Sequence, residues 1–217
     1  MDESLSRREA MVNGQIRPNR VVDERVTAAL LAVPRELFVP KSLRGVAYLD
    51  EDLAIAEGRY LMEPVAFARI LQAARLEADD VVLDVGCASG YSSAILARLA
   101  STVVALEVDA GLAARANENL AALEIDNVAV VEGPLVDGYP AQGPYDVIFL
   151  GGSVGRLPET LTAQLADGGR LMVVERSGGM GKVLCYAKFE GVVSAIELFD
   201  AQVAPLPGFE AVSSFVF

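Results

Sequence analysis

Val82-Leu83-Asp84-Val85-Gly86-Cys87-Ala88-Ser89-Gly90-Tyr91 decides the fold. A short β-branched run from Asp80 ends in Gly86, and Tyr91–Ala100 then reads as a helix. A strand that turns through glycines into a helix lets the backbone approach a ligand closely. The helix start beyond it offers free amide donors and positive partial charge. In a doubly wound sheet such a turn lies at the carboxyl ends of the strands, where ligands bind. Its plain alternative is a tight strand–helix turn that serves the fold alone.

The alternation continues downstream. Thr102–Glu107 reads as a strand, Ala110–Leu123 as a helix with Glu118 and Asn119 on its polar side, then Asn127–Glu132 and Tyr145–Leu150 as strands. Pro158–Leu165 reads as helical and Arg170–Val174 as a strand, and Lys182–Phe189 and Val192–Phe199 make a hairpin around Glu190–Gly191. This predicts an α/β fold: a doubly wound, mainly parallel Rossmann-like sheet with helices on both faces. Upstream, residues 1–40 read as helical, with Val22, Val26, Ala29, Leu30 and Val33 at helical spacing up to Pro34. Residues 41–62 read as irregular with turns at Gly45 and Gly58, and Pro64 opens a helix over Val65–Arg75. One domain is expected over 1–217, with an N-terminal helical and substrate-loop region (1–78) on a cofactor-binding core (79–217).

Bulk properties narrow the chemistry. The 217 residues are 53% hydrophobic and 22% charged, the balance of a globular chain. No apolar run approaches a membrane span, and no apolar stretch follows the charged Met1–Arg8, so a cytoplasmic protein with no membrane partner is expected. A net charge of -12 repels a phosphate backbone, which disfavours nucleic acid. There is no histidine, and the two cysteines, Cys87 and Cys185, make neither a disulfide framework nor a zinc site. No metal is expected. Chemistry here must run on a cofactor, on carboxylates or on positioning.

Two acids sharpen the glycine loop. Glu107 ends the next strand about 20 residues on, placed for a ribose diol. Asp84 ends the first strand beside the loop. An acid there suits a cationic amino-acid head group and repels a pyrophosphate. With Gly86-x-x-x-Gly90 in place of Gly-x-Gly-x-x-Gly, this favours S-adenosylmethionine over a dinucleotide. The candidate cofactor contacts are Asp84, Gly86, Cys87, Ala88, Ser89, Gly90 and Glu107.

At these residues, and through most of its length, the chain resembles the protein-L-isoaspartate O-methyltransferases. The likeness rests on Met11-Val12-x-x-Gln15-Ile16, Val22-Asp23-x-Arg25-Val26, Val33-Pro34-Arg35-x-x-Phe38-Val39-Pro40 and Ala47-Tyr48-x-Asp50. It continues in order through Pro144-Tyr145-Asp146-x-Ile148, Leu157-Pro158-x-x-Leu161-x-x-Gln164-Leu165, Gly168-Gly169-Arg170-Leu171 and Pro205-Leu206-x-Gly208. The resemblance implies a class I methyltransferase fold, S-adenosylmethionine as cofactor, and methyl transfer to the α-carboxyl of isoaspartyl residues in damaged proteins or peptides.

The chain departs from that family's pattern at three places. Where the family has Gly-Gln-Thr-Ile-Ser-Gln-Pro, this sequence has Gly58-Arg59-Tyr60-Leu61-Met62-Glu63-Pro64. Met62 stands at the active-site Ser and cannot donate to a carboxylate, and Glu63 adds negative charge. Arg59 reads either as a bidentate carboxylate contact or as a solvated side chain, and Tyr60 either closes the pocket or packs. Met62, Arg59 and Tyr60 are therefore the candidate acceptor-loop residues. Gly133-Pro134 replaces the family's adenine-side Gly-Asp, and Pro134 offers neither a side-chain acceptor nor an amide. Gly151-Gly152-Ser153 replaces Thr-Ala-Ala, read as extra room beside the methyl group or as a looser loop. Three readings remain open: isoaspartyl repair, the same cofactor with another acceptor such as a small molecule, and a non-catalytic binding relative. Nothing in the sequence fixes the oligomeric state.

Overall fold

The computed structural model describes residues 3–177 and 179–209; the far end of the expected core, beyond Phe209, lies outside them. Its centre is β3 (Val81–Val85), whose side chains are nearly all buried. On one side it pairs in parallel with β4 (Thr102–Glu107), which pairs with β5 (Val128–Glu132). On the other it pairs in parallel with β6 (Tyr145–Val154), then β7 (Leu165–Ser177). The antiparallel strands β8 (Met180–Phe189) and β9 (Val192–Asp200) complete the seven-stranded order β5-β4-β3-β6-β7-β8-β9. The order reverses between β3 and β6, the position at which α/β sheets open a crevice.

The period of two divides the sheet into two apolar faces. Val82, Val103, Phe149 and Met172 face the N-terminal helices. Leu83, Val104, Ile148 and Leu171 face the opposite layer, which includes α6 (Glu159–Ala163). Helix α3 (Pro64–Ala74) begins on Pro64, whose fixed φ suits a first helical turn. It packs into the first layer, where Phe67 lies edge-on to Phe149 and Tyr91 bridges Phe67 and Phe38 at ring separations of 5.7 and 5.4 Å. Helix α4 (Tyr91–Leu96) follows the glycine loop, and α5 (Ala110–Ala122) is capped by the Asp109 carboxylate accepting from the Leu112 amide at 2.8 Å.

Three expectations need correction. The N-terminal helix is two helices, α1 (Glu3–Met11) and α2 (Glu24–Ala32). Arg20 at φ 65 breaks the run, Asp23 caps α2, and Val22, placed above in the helical spacing, lies before α2 and is 75% exposed. Residues 41–62 are not irregular: Lys41–Val46 forms a 3₁₀ segment containing Gly45, and β1 (Leu53–Ala56) pairs with β2 (Arg59–Leu61) across a turn at Gly58. Strands of four and three residues are too short for their alternation to stand out. Finally, β7 starts at Leu165, which pairs with Tyr145, so the preceding helix is shorter than expected.

Arg170 ties α3 to the sheet. It donates to the carbonyls of Ala74 and Arg75 and pairs with Asp80 at 2.7 Å. With Arg170 replaced by Met, one partly buried ion pair and three carbonyl contacts, the third a long one to Asp146 O, are lost. An unfolding titration is expected to show a loss of about 2–4 kcal/mol.

Candidate active site

The glycine loop sits where expected, at the carboxyl end of β3. Gly86 has φ +79, a value that L side chains rarely adopt. A Cβ there would meet Leu206 Cδ2 at 2.6 Å, with Arg59 Nη2 and Leu135 Cδ1 about as near as ordinary contact allows. The face of the loop is thus covered by three side chains from distant parts of the chain. Leu206 is held by the segment 203–206, which lies along Ser153: the Ser153 amide donates to Ala204 O (2.9 Å) and the Leu206 amide to Ser153 O (2.8 Å).

Glu107 is fully buried and lies beneath the loop. Its Oε2 accepts from the Ala88 amide (2.7 Å), and its Oε1 from the amides of Val108 (2.9 Å) and Asp109 (3.0 Å). Both oxygens also take Arg59, at 2.6 Å from Nη1 and 2.8 Å from Nη2. Arg59 Nη2 reaches Gly86 O as well, at 3.1 Å. Arg59 is only 5% exposed. The hairpin explains this: along β2 the pattern is buried, exposed, buried, so Arg59 and Leu61 point inward while Tyr60 points out.

Asp84 is fully buried too. Its Oδ2 accepts from the hydroxyls of Ser92 and Ser93, each at 2.6 Å. Its Oδ1 has no partner among the described residues. Burial pushes its pKa up to about 6, against the pull of the two serines. A buried anionic oxygen without a donor is costly, and a cationic group is what would relieve it. Cys87 is held as a thiol, its pKa raised by burial and by the nearby Asp84 and Glu107, so it is no nucleophile. Ser89 Oγ donates to Phe38 O at 2.6 Å and serves the packing of the loop.

The acceptor-loop residues meet this loop. Tyr60 and Met62 line one small cavity with Gly86, Ala88 and Gly151, and another with Arg59, Asp52 and Leu206. The two measure about 20 and 10 Å³, room for a water molecule and far below the several hundred Å³ a nucleoside ligand occupies. Met62 is buried, and its carbonyl accepts from Arg35 Nη2 at 2.6 Å. Gly133 sits between the sheet and a 3₁₀ turn, its amide on Glu107 O at 3.0 Å, and Pro134 beside it is exposed. Pro134 lines neither cavity; its neighbour Leu135 is the one that reaches the loop.

Gly151 and Gly152 receive a different reading from the one the sequence offered. They lie where β6 bulges, between Phe149, paired with Met172, and Ser153, paired with Val174. A Cβ on Gly151 would stand 2.7 Å from Gly86 O, and one on Gly152 2.8 Å from Ala204 O. In this chain the main chain packs closely against both glycines, so they add no room there.

The sequence reading missed Ser92, Ser93, Leu135 and Leu206. The two serines were visible as hydroxyls in the first turn after the glycine loop. Leu206 stood in a recognised signature, but nothing local showed what it would cover.

The family model described as Protein-L-isoaspartate(D-aspartate) O-methyltransferase matches residues 6–197. The chain belongs to this family. A protein-L-isoaspartate O-methyltransferase of Methanoculleus marisnigri is 39% identical over 207 residues, covering 95% of this chain and 94% of its own. One from a Synechococcus species is 43% identical over 172 residues, 79% of this chain and 70% of its own. A solved protein-L-isoaspartate O-methyltransferase superimposes with a TM-score of 0.82 at 26% identity, over 93% of this chain and 66% of that one. A Plasmodium falciparum protein carrying the same enzyme name, solved with S-adenosyl-L-homocysteine, shares the fold with a TM-score of 0.78 at 22% identity.

Glu63 supplies a pH dependence to this isoaspartyl methyltransferase relative. Burial, then Asp50 and Asp52, raise its pKa from 4.5 to about 7. The folded state disfavours the charged form, so stability is highest below the unfolded value and falls as pH rises from 4.5 to about 7. Glu63→Gln is expected to melt higher than wild type at about pH 8 and together with it at about pH 4. Thermal scans at both values check this.

Proposed function

We propose that this chain transfers the methyl group of S-adenosylmethionine to the carboxyl of isoaspartyl residues in proteins, within the cytoplasm and without nucleic-acid or membrane partners. One observation carries the reading: within a chain of this family, the buried Asp84 Oδ1 at the glycine loop lacks a donor among the described residues. A carboxylate so placed fits the ammonium of an amino-acid head group. Glu107 fits a ribose diol, and the missing Cβ of Gly86 fits a close main-chain approach. The residues present therefore fit this cofactor, provided that Arg59 leaves Glu107. The remaining cofactor-side positions are Cys87, Ala88, Ser89, Gly90, Gly133 and Pro134.

When bound, S-adenosylmethionine supplies an electrophilic methyl group on a sulfonium. The chain contributes alignment. An ionised carboxylate needs no proton removed, so the lack of histidine is no obstacle. Leu61, Met62 and Phe67 give the wall opposite the glycine loop an apolar surface that keeps water out. Met62 offers no donor, so orienting the acceptor falls to Tyr60 and Arg59 on the same hairpin. The net charge of -12 disfavours a nucleic-acid substrate, and two free cysteines accord with a reducing compartment.

An isoaspartyl peptide with methyl-labelled cofactor is expected to yield base-labile label, and the normal aspartyl peptide none. Equal labelling of both peptides, or of neither, overturns the assignment. For Asp84→Asn, calorimetry with S-adenosylhomocysteine is expected to show affinity about 10- to 100-fold weaker, the worth of one charge-assisted hydrogen bond.

A further inference from the structure

We propose that Arg59 is a latch that closes the nucleoside subsite, and that once displaced from Glu107 it becomes the guanidinium that receives the acceptor's carboxylate. The proposal rests on the cofactor reading above. Arg59 places one donor on each oxygen of Glu107, at 2.6 and 2.8 Å. A ribose cis-diol would present the same pattern, two donors to the two oxygens of one carboxylate. The three backbone amides on Glu107 take the remaining directions, so diol and guanidinium compete for the same lone pairs. The Arg59 side chain also lies over Gly86, in the space a ligand needs. The cavities left beside it are too small for a nucleoside.

The same residue belongs to the acceptor loop, three positions before Met62 on the short hairpin β1–β2. Displacing it leaves a buried guanidinium without its counter-ion, which is unfavourable until another anion arrives. Two carboxylates of the chain stand close. Asp52 lines the small cavity with Arg59, but it already accepts from the amides of Glu63 and Ala204. Asp84 faces the head-group side of the loop and is held by two serines. The anion that the reaction itself brings is the acceptor carboxylate, for which a planar two-donor fork is well matched. This side chain thereby supplies the donor that Met62 lacks. It also orders the events: the cofactor must open the latch before the carboxylate finds its partner.

Calorimetry with S-adenosylhomocysteine on wild type and Arg59→Gln tests the latch without turnover. The variant, losing the competitor, is expected to bind at least ten-fold more tightly. Arg59→Lys, which keeps a charge but not the fork, is expected to fall between and decides the matter if the Gln variant does not fold. Equal or weaker binding by the variants overturns the latch, as does a failure of all three proteins to bind at millimolar ligand, which also sinks the cofactor reading. Binding by the variants alone supports it. Steady-state kinetics test the second role: Arg59→Gln is expected to raise KM for the isoaspartyl peptide at least ten-fold, with a smaller change in kcat. An unchanged KM overturns that role. If wild type binds S-adenosylhomocysteine but methylates no peptide, the proposed function fails, and the carboxylate-receiving role fails with it. The latch is then judged on the affinities alone.

Discussion

The Glu107 carboxylate has no exposed surface, yet it is an anion and must be neutralised where it stands. Five hydrogen bonds do so: two from Arg59, and one each from the amides of Ala88, Val108 and Asp109. Through these contacts one side chain fixes the glycine loop after β3, the turn into α5 and the hairpin β1–β2. Removing either charge would strand the other in the interior, which is far worse than never having buried the pair. The crevice side of the sheet is therefore organised by an electrostatic requirement, and the apolar layers hold it from both faces.

The second acid behaves in the opposite way. Asp84 is as deeply buried but is incompletely satisfied, with two serine hydroxyls on one oxygen and, among the described residues, no partner on the other. Burial raises its pKa, and the two serines only partly offset this. A site with one sated and one unsated carboxylate has a direction built into it: the unsated one attracts a cation, while the sated one yields only to a ligand that replaces what it already holds.

Much of the fold was legible in the sequence because β3 and β4 are buried apolar runs and β5 a half-buried one, set between amphipathic helices, and such periodicities survive without tertiary information. The positions of the glycine loop, Asp84 and Glu107 were legible for the same reason, since all lie at or beside strand ends. The short hairpin was not: three or four residues carry too little pattern. Nor was the partnership of Arg59 and Glu107, 48 residues apart. An arginine after a glycine reads equally well as a solvated side chain, and only the inward turn of β2 decides. Leu206 over Gly86 and the carbonyl of Gly86 against Gly151 are likewise contacts between distant segments, written in no local window.

The bulge at Gly151 and Gly152 has an evolutionary consequence. The floor of the crevice is main chain pressed on main chain: Gly86 against Gly151, and Ala204 against Gly152. In this chain a methyl group added at either glycine meets a backbone carbonyl below 3 Å, so the facing segment would have to shift. The walls are side chains, at 60–62, at Leu135 and at Leu206, with Arg59 beside them bound to Glu107. The floor at Gly151 and Gly152 departs from the family's Thr-Ala-Ala in the same chain whose wall departs at 59–63, and the two departures meet around one cavity, so main chain and side chain have diverged together where they face each other.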